Sequence, residues 1–431
     1  MSRIVHGNSA FGVTLLAGLL LSASAVAQNL VGQPGAATVD ILYSFQSSDD
    51  GYFPAAGITL DSLGNLYSTT AAGGISRQNG GTVFRLSPDG SGAWNKSILY
   101  TFQGYRDGKE PLSGVVSDAQ GNLYGTTSGG GPSSFGVVFQ LVPIGNGSYY
   151  FKNLHSFTNS DGYDPDTGVI LDKYGNLYGT ARFGGAYTYG TLFKLTRQPN
   201  GSFIFSVLHD FNAATDGSDV FGLVSDPLGN LYGTTAGGGP SNNGVVFELT
   251  RGPSGTWTES VLHYFTGGSD GGAPQAGLVL DKYGNLYGTT YAGGGNGCAG
   301  GCGTVFQLKH SSGSGWTENI LYSFHGSDGE YPISPLVFDS AGNLYGTTSL
   351  GGSLACPAFG CGTIFKMTHS AGNWNYKQIY AFQSTPDGEY PHSGLTVDSA
   401  GNLYGTCTQG GAEGLGIVYE IPASLASSNA Q

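Results

Sequence analysis

The sequence predicts an all-β protein, a seven-bladed β-propeller with four antiparallel strands in each blade. Three observations support this prediction. The heptapeptide GNLYGTT or a close variant occurs seven times, beginning at Gly64, Gly121, Gly175, Gly229, Gly284, Gly342 and Gly401. These starts lie 54 to 59 residues apart, and each belongs to a unit with four strand-like pieces. Glycine accounts for 76 of 431 residues and aromatic residues for 12%, which is typical of short strands joined by tight turns.

Each unit contains its four pieces in a fixed order, as the fifth unit shows. Ser260–Phe265 (SVLHYF) is followed by Ala276–Asp281 (AGLVLD), Asn285–Thr290 (NLYGTT) and Gly303–Leu308 (GTVFQL). Helical repeats would need amphipathic stretches of ten residues or more, and the sequence has none. A closed ring of seven blades would also remove the sheet edges that favour aggregation.

Two strand orders are compatible with this unit. In the first, the AGLVLD piece is innermost and the SVLHYF piece is outermost, so that Ile41–Phe45 completes the blade that begins near Gly394. In the second, the SVLHYF piece is innermost and every blade is contiguous. We favour the first order because propellers with a similar Asp-x-x-Gly-Asn hairpin have it. The N-terminal strand is then expected to close the last blade.

Two recurring aspartates are predicted to stabilise turns. The first belongs to the Asp-x-x-Gly-Asn hairpin, where the carboxylate can accept from turn amides and glycine takes the positive φ. This structural role is assigned to Asp61, Asp118, Asp172, Asp226, Asp281, Asp339 and Asp398. The second begins an Asp-Gly pair in the loop before each AGLVLD-like piece, at Asp50, Asp107, Asp161, Asp216, Asp270, Asp328 and Asp387. Calcium is an alternative for these loops, but each offers about one carboxylate, so we expect turn capping.

Charge and the N-terminal segment predict an exported protein. The net charge is −13, which disfavours nucleic acids and anionic membranes as partners. Arg3, the apolar run Val13–Leu21 and the Ala25-Val26-Ala27 site predict a signal peptide over residues 1–27. A linker over 28–37, a propeller over 38–422 and a flexible tail over 423–431 would follow. We expect a monomer without a membrane span in the extracellular space, at the cell surface or in the periplasm.

The repeat is specific enough to resemble a known family. Its full form reads L-Y-S-F-x-G-x-x-D-G-x-x-P-x-x-G-L-V-x-D-x-x-G-N-L-Y-G-T-T-x-x-G-G-x-x-x-x-G-T-V-F-x-L and extends from Ile41 to Ile421. This resembles the GloVer tandem-repeat family, exported bacterial proteins described as choice-of-anchor. The resemblance implies a repeat scaffold at the surface or outside the cell, and no activity. Members often end in an anchoring segment, which Pro422–Gln431 does not resemble, so we expect secretion.

The cysteines occupy loops of two consecutive repeats. Cys298 and Cys302 lie in repeat five, and Cys356 and Cys361 lie in the same loop of repeat six. Two local disulfides are expected in an exported chain, with a four-cysteine zinc site across the blades as the alternative. Cys407 replaces the last threonine of the heptapeptide and is expected to be buried and free.

A single ligand site on a ring of equal blades requires residues that depart from the repeat. The departures fall in the Asp-Gly loops and after the heptapeptide, and they are Tyr52, Lys109, Glu110, Tyr163, Arg182, Tyr291, Glu330, Tyr331, Glu389 and Tyr390. Aromatic rings beside carboxylates suit sugars, so these residues are the candidates for ligand binding. The alternative is an ordinary solvated loop face.

Three histidines occupy a strand position that is tyrosine in other repeats. His155, His209 and His263 stand where Tyr43, Tyr100, Tyr322 and Tyr380 stand elsewhere, which favours packing with a polar tip. We therefore expect no catalytic residue, metal or cofactor. The function favoured by the sequence is an exported scaffold that binds a glycan or a protein. The alternatives are a lyase or glycoside hydrolase acting on polysaccharide or cell-wall polymer, and a structural surface or matrix protein.

Overall fold

The structure is a computed structural model that describes residues 39–76, 79–295, 297–311, 315–353, 356 and 359–426. The predicted signal peptide, the linker over 28–37 and residues 427–431 of the predicted tail lie outside the described residues.

The described chain forms seven four-stranded antiparallel sheets, which confirms the predicted seven-bladed propeller. Blade 1 contains β2 (Thr59–Leu60), β3 (Leu66–Thr70), β4 (Thr82–Pro88) and β5 (Trp94–Thr101). Blade 2 contains β6 (Val116–Ser117), β7 (Leu123–Thr127), β8 (Val137–Gly145) and β9 (Ser148–Ser156). Blade 3 contains β10 (Val169–Leu171), β11 (Leu177–Ala181), β12 (Thr191–Arg197) and β13 (Phe203–Asp210). Blade 4 contains β14 (Ser218–Ser225), β15 (Leu231–Gly237), β16 (Val245–Arg251) and β17 (Trp257–Tyr264).

The remaining blades follow the same order. Blade 5 contains β18 (Val279–Leu280), β19 (Leu286–Thr290), β20 (Thr304–Ser311) and β21 (Gly315–Ser323). Blade 6 contains β22 (Val337–Phe338), β23 (Leu344–Thr348), β24 (Thr363–Ser370) and β25 (Asn373–Ala381). Blade 7 contains β26 (Thr396–Val397), β27 (Leu403–Cys407), β28 (Ile417–Ile421) and β1 (Asp40–Ser44). A 3-10 turn at Ser48–Asp50 follows β1, and one helical turn, α1 (Ala423–Ala426), follows β28.

The N-terminal strand closes the ring, as the first of the two strand orders predicted. β1 pairs antiparallel with β28, with Ile41 opposite Tyr419 and Ser44 opposite Ile417. The glycine just before the first strand of one blade lies close to the equivalent glycine of the neighbouring blade. This close approach places the first strand of each blade innermost in the ring. A Cβ added to Gly114 would lie 2.6 Å from the carbonyl oxygen of Gly57 in the preceding blade.

The heptapeptide forms the second strand of each blade, and this strand is the best-buried element. All five residues of β19 are buried, and the same holds for the equivalent strands of the other blades over their LYGTT-type residues. A Cβ added to Gly288 would lie 2.7 Å from Cζ of Phe306, so glycine leaves room for the ring of the third strand. The repetition of the heptapeptide therefore reflects one packing arrangement built seven times.

The hairpin before this strand is held by its aspartate. Oδ1 of Asp281 accepts hydrogen bonds from the backbone N–H groups of Tyr283 (2.8 Å) and Asn285 (2.9 Å). Oδ2 accepts from the Asn285 amide (2.7 Å) and from the hydroxyl of Tyr287 (3.1 Å). Gly284 has φ +82°, a conformation that glycine adopts without steric cost.

Consecutive blades meet at a joint, which we name by its two blades. At joint 4/5 the backbone N–H of Ala273 donates to the carbonyl of Asn243 (2.8 Å), and Pro274 packs against Gly244. Six joints carry this proline, whereas Val220 replaces it at joint 3/4. Because valine keeps its N–H and does not fix φ, β14 extends over eight residues there, while the other first strands have two or three.

Candidate functional site

The candidate residues lie at one end of the propeller, which we call the loop face. It consists of the Asp-Gly loops that enter the first strands and the loops that join second to third strands. The two sets of loops contact each other through antiparallel bridges, such as Tyr163 with Phe183 and Glu330 with Leu350. The loop face is therefore assembled from every blade, and differences between repeats are displayed on it.

Each Asp-Gly loop presents one side chain from a left-handed backbone position. Phe53, Glu110, Asp164, Asp219, Ala273, Tyr331 and Tyr390 have φ between 50° and 61°. Such a conformation costs a non-glycine residue on the order of 1 kcal/mol and is common where a side chain has a role. The identity of this residue changes from joint to joint, whereas its backbone conformation does not.

A charged cluster occupies the loop face at joint 3/4. The guanidinium of Arg182 donates from Nε and Nη2 to the two carboxylate oxygens of Asp219, at 2.5 and 3.0 Å. Nη1 of the same side chain donates to Oδ2 of Asp166 at 3.0 Å. Arg182 also lies over the rings of Phe183 and Phe221, 5.2 and 4.9 Å from their centroids. One arginine therefore pairs with two carboxylates between aromatic faces.

Asp166 is the most perturbed member of this cluster. Its side chain is 11% exposed, and Oδ1 is buried without a hydrogen-bond partner among the described residues. Burial raises the pKa of this carboxyl to about 7, against the opposing effect of Arg182 and with the help of Asp164 and Asp219. Asp166 is not among the site residues predicted from the sequence. The feature that could have indicated it is its position directly after a loop proline in the same repeat as Arg182.

An aromatic pair occupies the equivalent place at joint 5/6. The rings of Tyr291 and Tyr331 are stacked, with centroids 4.2 Å apart and an angle of 14° between planes. Burial and the neighbouring Glu330 raise the pKa of Tyr331 to about 12. Between this pair and the Arg182 cluster, the corresponding positions at joint 4/5 are the small residues Ala236 and Ala273.

The other candidates remain at separate joints. Tyr52 accepts a hydrogen bond from the Asn79 amide (2.5 Å), and Tyr163 packs between the rings of Phe135 and Phe183. Lys109 and Glu110 form an exposed ion pair at 3.0 Å. Glu389 accepts from the Ser384 hydroxyl, and Tyr390 meets the ring of His392 edge-on. The structure thus brings together Tyr291, Glu330 and Tyr331, and it joins Arg182 to two aspartates.

Both predicted disulfides form within loops of this face that join second to third strands. Cys298 bonds to Cys302 and Cys356 bonds to Cys361, so these four thiols do not constitute a zinc site. The carbonyl of Cys302 accepts from the N–H of Tyr331, and that of Cys361 accepts from the N–H of Tyr390, each at 3.0 Å. Cys407 is the free cysteine of the described chain, and it is buried as predicted.

The Asp-Gly carboxylates have partners that the sequence did not suggest. Each lies next to the tyrosine or histidine of the preceding outermost strand, in the pairs Tyr43–Asp50, Tyr100–Asp107, His155–Asp161, His209–Asp216, His263–Asp270, Tyr322–Asp328 and Tyr380–Asp387. Most of these carboxylates also cap the turn, as in Asp107, which accepts from the N–H of Gln103. In every repeat the aspartate follows its tyrosine or histidine by six or seven residues, and this recurring spacing could have predicted the pairs.

A residue of the next blade packs over each pair. On its outermost strand, this covering residue lies four positions before the tyrosine or histidine of that blade. These covering residues are Lys96, Phe151, Phe205, Glu259, Glu318 and Tyr376. Val39 has the equivalent position in blade 7 and packs against the same core cluster as Tyr380. Glu259 and Glu318 stand beside histidine–aspartate pairs. Burial next to Asp216 raises the pKa of Glu259 to about 7, and burial next to Asp270 raises that of Glu318 to about 8.

Two surface depressions lie away from the loop face. One of about 650 Å³ is lined by Tyr174 and the 197–201 turn, and one of about 340 Å³ lies between the hairpins of blades 1 and 2. Both are formed by hairpin turns at the opposite end of the propeller, and neither is lined by a candidate for ligand binding.

Solved structures resemble the chain in fold. The extracellular domain of a one-component system from B. thetaiotaomicron aligns over 91% of this chain with 12% identity and a TM-score of 0.53. This chain spans 42% of that one, less than half its length. An oxidoreductase (glucose dehydrogenase) from Thermus thermophilus aligns over 89% of this chain and 99% of its own, with 13% identity and a TM-score of 0.45. A gluconolactonase from Xanthomonas campestris aligns over 79% and 89%, with 13% identity and a TM-score of 0.41.

Sequence comparison provides the family. No curated protein matches the chain significantly. Within the described residues, no helix is long and apolar enough to cross a membrane. The Gloeobacter/Verrucomicrobia repeat matches residues 30–173, 76–301 and 296–429. The chain therefore belongs to this repeat family.

Proposed function

We propose that the chain is an exported scaffold that binds a carbohydrate on its loop face without transforming it. Two disulfides support export, because disulfides persist in oxidising compartments. The signal peptide predicted from the sequence points the same way. The acidic surface favours an uncharged or cationic ligand over a nucleic acid.

The stacked pair Tyr291–Tyr331 carries the proposal. Stacking fixes both rings, and the hydrogen bond from the Tyr331 N–H to Cys302 ties the loop to the disulfide-closed segment. A fixed aromatic surface binds the CH face of a sugar at a low cost in conformational entropy. Glu330, the preceding residue, supplies a carboxylate that can accept from sugar hydroxyl groups.

The neighbouring joints add polar groups and space. Small residues, Ala236 and Ala273, occupy the corresponding positions at joint 4/5, between the joint of the tyrosine pair and that of the Arg182 cluster. A ligand of more than one sugar ring would then contact aromatic carbon at one end and charged groups at the other. This arrangement is typical of oligosaccharide sites, where a few polar groups fix orientation.

The test is a binding assay with the mature, disulfide-bonded protein. Soluble oligosaccharides and polysaccharides are screened by the shift they cause in the unfolding midpoint, and hits are titrated by calorimetry. Tyr331→Ala is expected to weaken binding of a hit about tenfold or more, because a stacking contact is worth about 1.4 kcal/mol.

Tyr283→Ala is the matched control, since Tyr283 is 76% exposed in a hairpin turn of the opposite end. It is expected to leave affinity unchanged. Binding that survives Tyr331→Ala and Tyr291→Ala, or that is lost with Tyr283→Ala, would contradict the proposed site. No carbohydrate binding at all would favour a structural role.

A second candidate function is polysaccharide cleavage at joint 3/4. Its support is Asp166, a buried carboxyl with a raised pKa beside an arginine, which is the electrostatic pattern of a general acid or base. The assay is the release of new reducing ends or unsaturated products from the same polysaccharides. Activity that disappears in Asp166→Asn while binding persists would replace the non-catalytic proposal.

A further inference from the structure

The joints between blades share one plan, and two of them contain a group that the others lack. At joints 3/4 and 4/5 the covering residue is a glutamate placed against a histidine and an aspartate. The clusters are His209–Asp216–Glu259 and His263–Asp270–Glu318, and in each the nearest ligand atoms lie within 4.8 Å of one another. In each cluster the histidine and the glutamate lie on outermost strands and the aspartate lies in an Asp-Gly loop, and neither cluster contains a candidate for carbohydrate binding.

In the cluster at joint 4/5, polar side-chain atoms lack good hydrogen bonds. His263 Nε2 is 3.5 Å from Glu318 Oε2 and 3.8 Å from Asp270 Oδ2. His263 Nε2 and Glu318 Oε1 are both buried without a hydrogen-bond partner in the described part of the chain. Leaving such atoms unpaired costs about 1–3 kcal/mol each, so this arrangement calls for a further occupant.

The separations fit a metal ion better than hydrogen bonds. Ligand atoms about 2.1 Å from a tetrahedral zinc ion lie roughly 3.4 Å from each other. The His263 to Glu318 separation is close to that value, whereas a good hydrogen bond would be shorter than about 3.2 Å. The side chains of His263, Asp270 and Glu318 are 21%, 17% and 13% exposed, so water can reach the cluster.

The second cluster has the same ligands in a tighter arrangement. His209 Nε2 and Asp216 Oδ2 form a hydrogen bond of 2.7 Å, which an ion would have to open. Glu259 Oε1 is buried and has no hydrogen-bond partner among the described residues. We therefore expect this site to be the weaker of the two.

We propose that the histidine–aspartate–glutamate clusters at joints 4/5 and 3/4 each bind a divalent transition-metal ion that links neighbouring blades. The imidazole nitrogen favours zinc-like ions over calcium and magnesium, which prefer oxygen ligands throughout. Three protein ligands leave one position for water. In each site the histidine and aspartate come from one blade and its exit loop, and the glutamate comes from the next blade.

The test is titration of the chelator-treated, untagged, disulfide-bonded protein with zinc chloride, followed by calorimetry and thermal unfolding. Two equivalents are expected per chain, with a rise in the unfolding midpoint. Glu318→Gln is expected to remove the tighter equivalent, and Glu318→Gln with Glu259→Gln is expected to remove both. Glu413→Gln, on an exposed loop, is the matched control and should retain two.

His263→Tyr is a second variant in case the glutamine variants fold poorly. It introduces the residue that four other joints use with the same aspartate, so the local packing has a precedent in the chain. It is expected to lose one equivalent as well. Absence of zinc binding in the unsubstituted protein, or undiminished binding in the double glutamine variant, would overturn the proposal.

Discussion

Joints 3/4 and 5/6 share the same backbone conformation but differ in their side chains, which are mainly charged at joint 3/4 and mainly aromatic at joint 5/6. Joint 3/4 contains Arg182 with Asp166 and Asp219 on the loop face, and the His209 cluster on its outer side. Joint 5/6 has a stacked tyrosine pair in each place, Tyr291–Tyr331 and Tyr322–Tyr376. One joint is held by charges and the other by rings.

The difference shows that the repeat constrains the backbone more strongly than the joint side chains. Both joints keep the Asp-Gly turn and the left-handed residue after it, Asp219 in one and Tyr331 in the other. Contacts between aromatic rings require complementary shapes, whereas buried charged groups also require partners of opposite charge. Substitutions should therefore affect the charged joint more strongly, and with a dependence on pH that the aromatic joint lacks.

Arg182→Met is expected to produce the largest effect. It leaves Asp166 and Asp219 without their cation, and breaking such a pair costs about 3 kcal/mol, at the low end because the guanidinium is 26% exposed. Urea denaturation of the two proteins measures the difference in unfolding free energy.

Lys109→Met is the control for charge removal on the same face. Lys109 and Glu110 are 45% and 50% exposed, so the cost should stay within a few tenths of a kcal/mol. Equal costs for Lys109→Met and Arg182→Met would show that joint 3/4 is not held by its charges.

Asp166→Asn should change the pH dependence at the same joint. The folded-state pKa of Asp166, about 7, lies above its ordinary value of 3.8, so its stabilising effect is present at low pH and is lost as pH rises through 7. The asparagine variant should match the original protein near pH 4, and at pH 8 its unfolding free energy should exceed that of the original by more than about 1.4 kcal/mol, the energy of one pKa unit. Denaturation curves at both pH values measure this difference, with Asp49→Asn, at an exposed residue of the Ser48–Asp50 turn, as the control. A difference that is larger at pH 4 than at pH 8 would contradict the assigned pKa.

The sequence was sufficient for the architecture because many contacts of each heptapeptide lie within its own blade and hairpin. The hairpin aspartate, Asp281 here, recurs in all seven repeats. The packing of Gly288 against Phe306 recurs with Ser68 for the glycine in the first repeat and Tyr419 for the phenylalanine in the seventh. The order of the pieces left two strand orders open, and likeness to propellers with a similar hairpin predicted the ring closure by Ile41–Phe45.

The joints could not be predicted in the same way. Glu318 and His263 are 55 residues apart, and their proximity depends on how two blades pack. Asp166 was missed because its perturbed pKa arises from burial, which composition and spacing do not report. Comparing positions across the repeats would have shown that the covering residue varies, without showing what it covers.

Apart from the control variants, Tyr376→Phe should have the smallest effect, and it completes the comparison at joint 5/6. The hydroxyl of Tyr376 donates to the carbonyl of Asp328 at 2.6 Å, and its ring stacks on Tyr322 with centroids 3.9 Å apart. Phenylalanine keeps the stack and loses the hydrogen bond, so the unfolding free energy should fall by about 1 kcal/mol. Because the lost bond joins two uncharged groups, the loss should be the same in dilute buffer and in 1 M salt, whereas the loss for Arg182→Met should shrink with salt. Tyr283→Phe, at a residue 76% exposed, should cost nothing in either condition. A loss for Tyr376→Phe that depends on salt as strongly as that for Arg182→Met would mean that the nearby Asp328 carboxylate, and not ring stacking with a neutral hydrogen bond, controls joint 5/6.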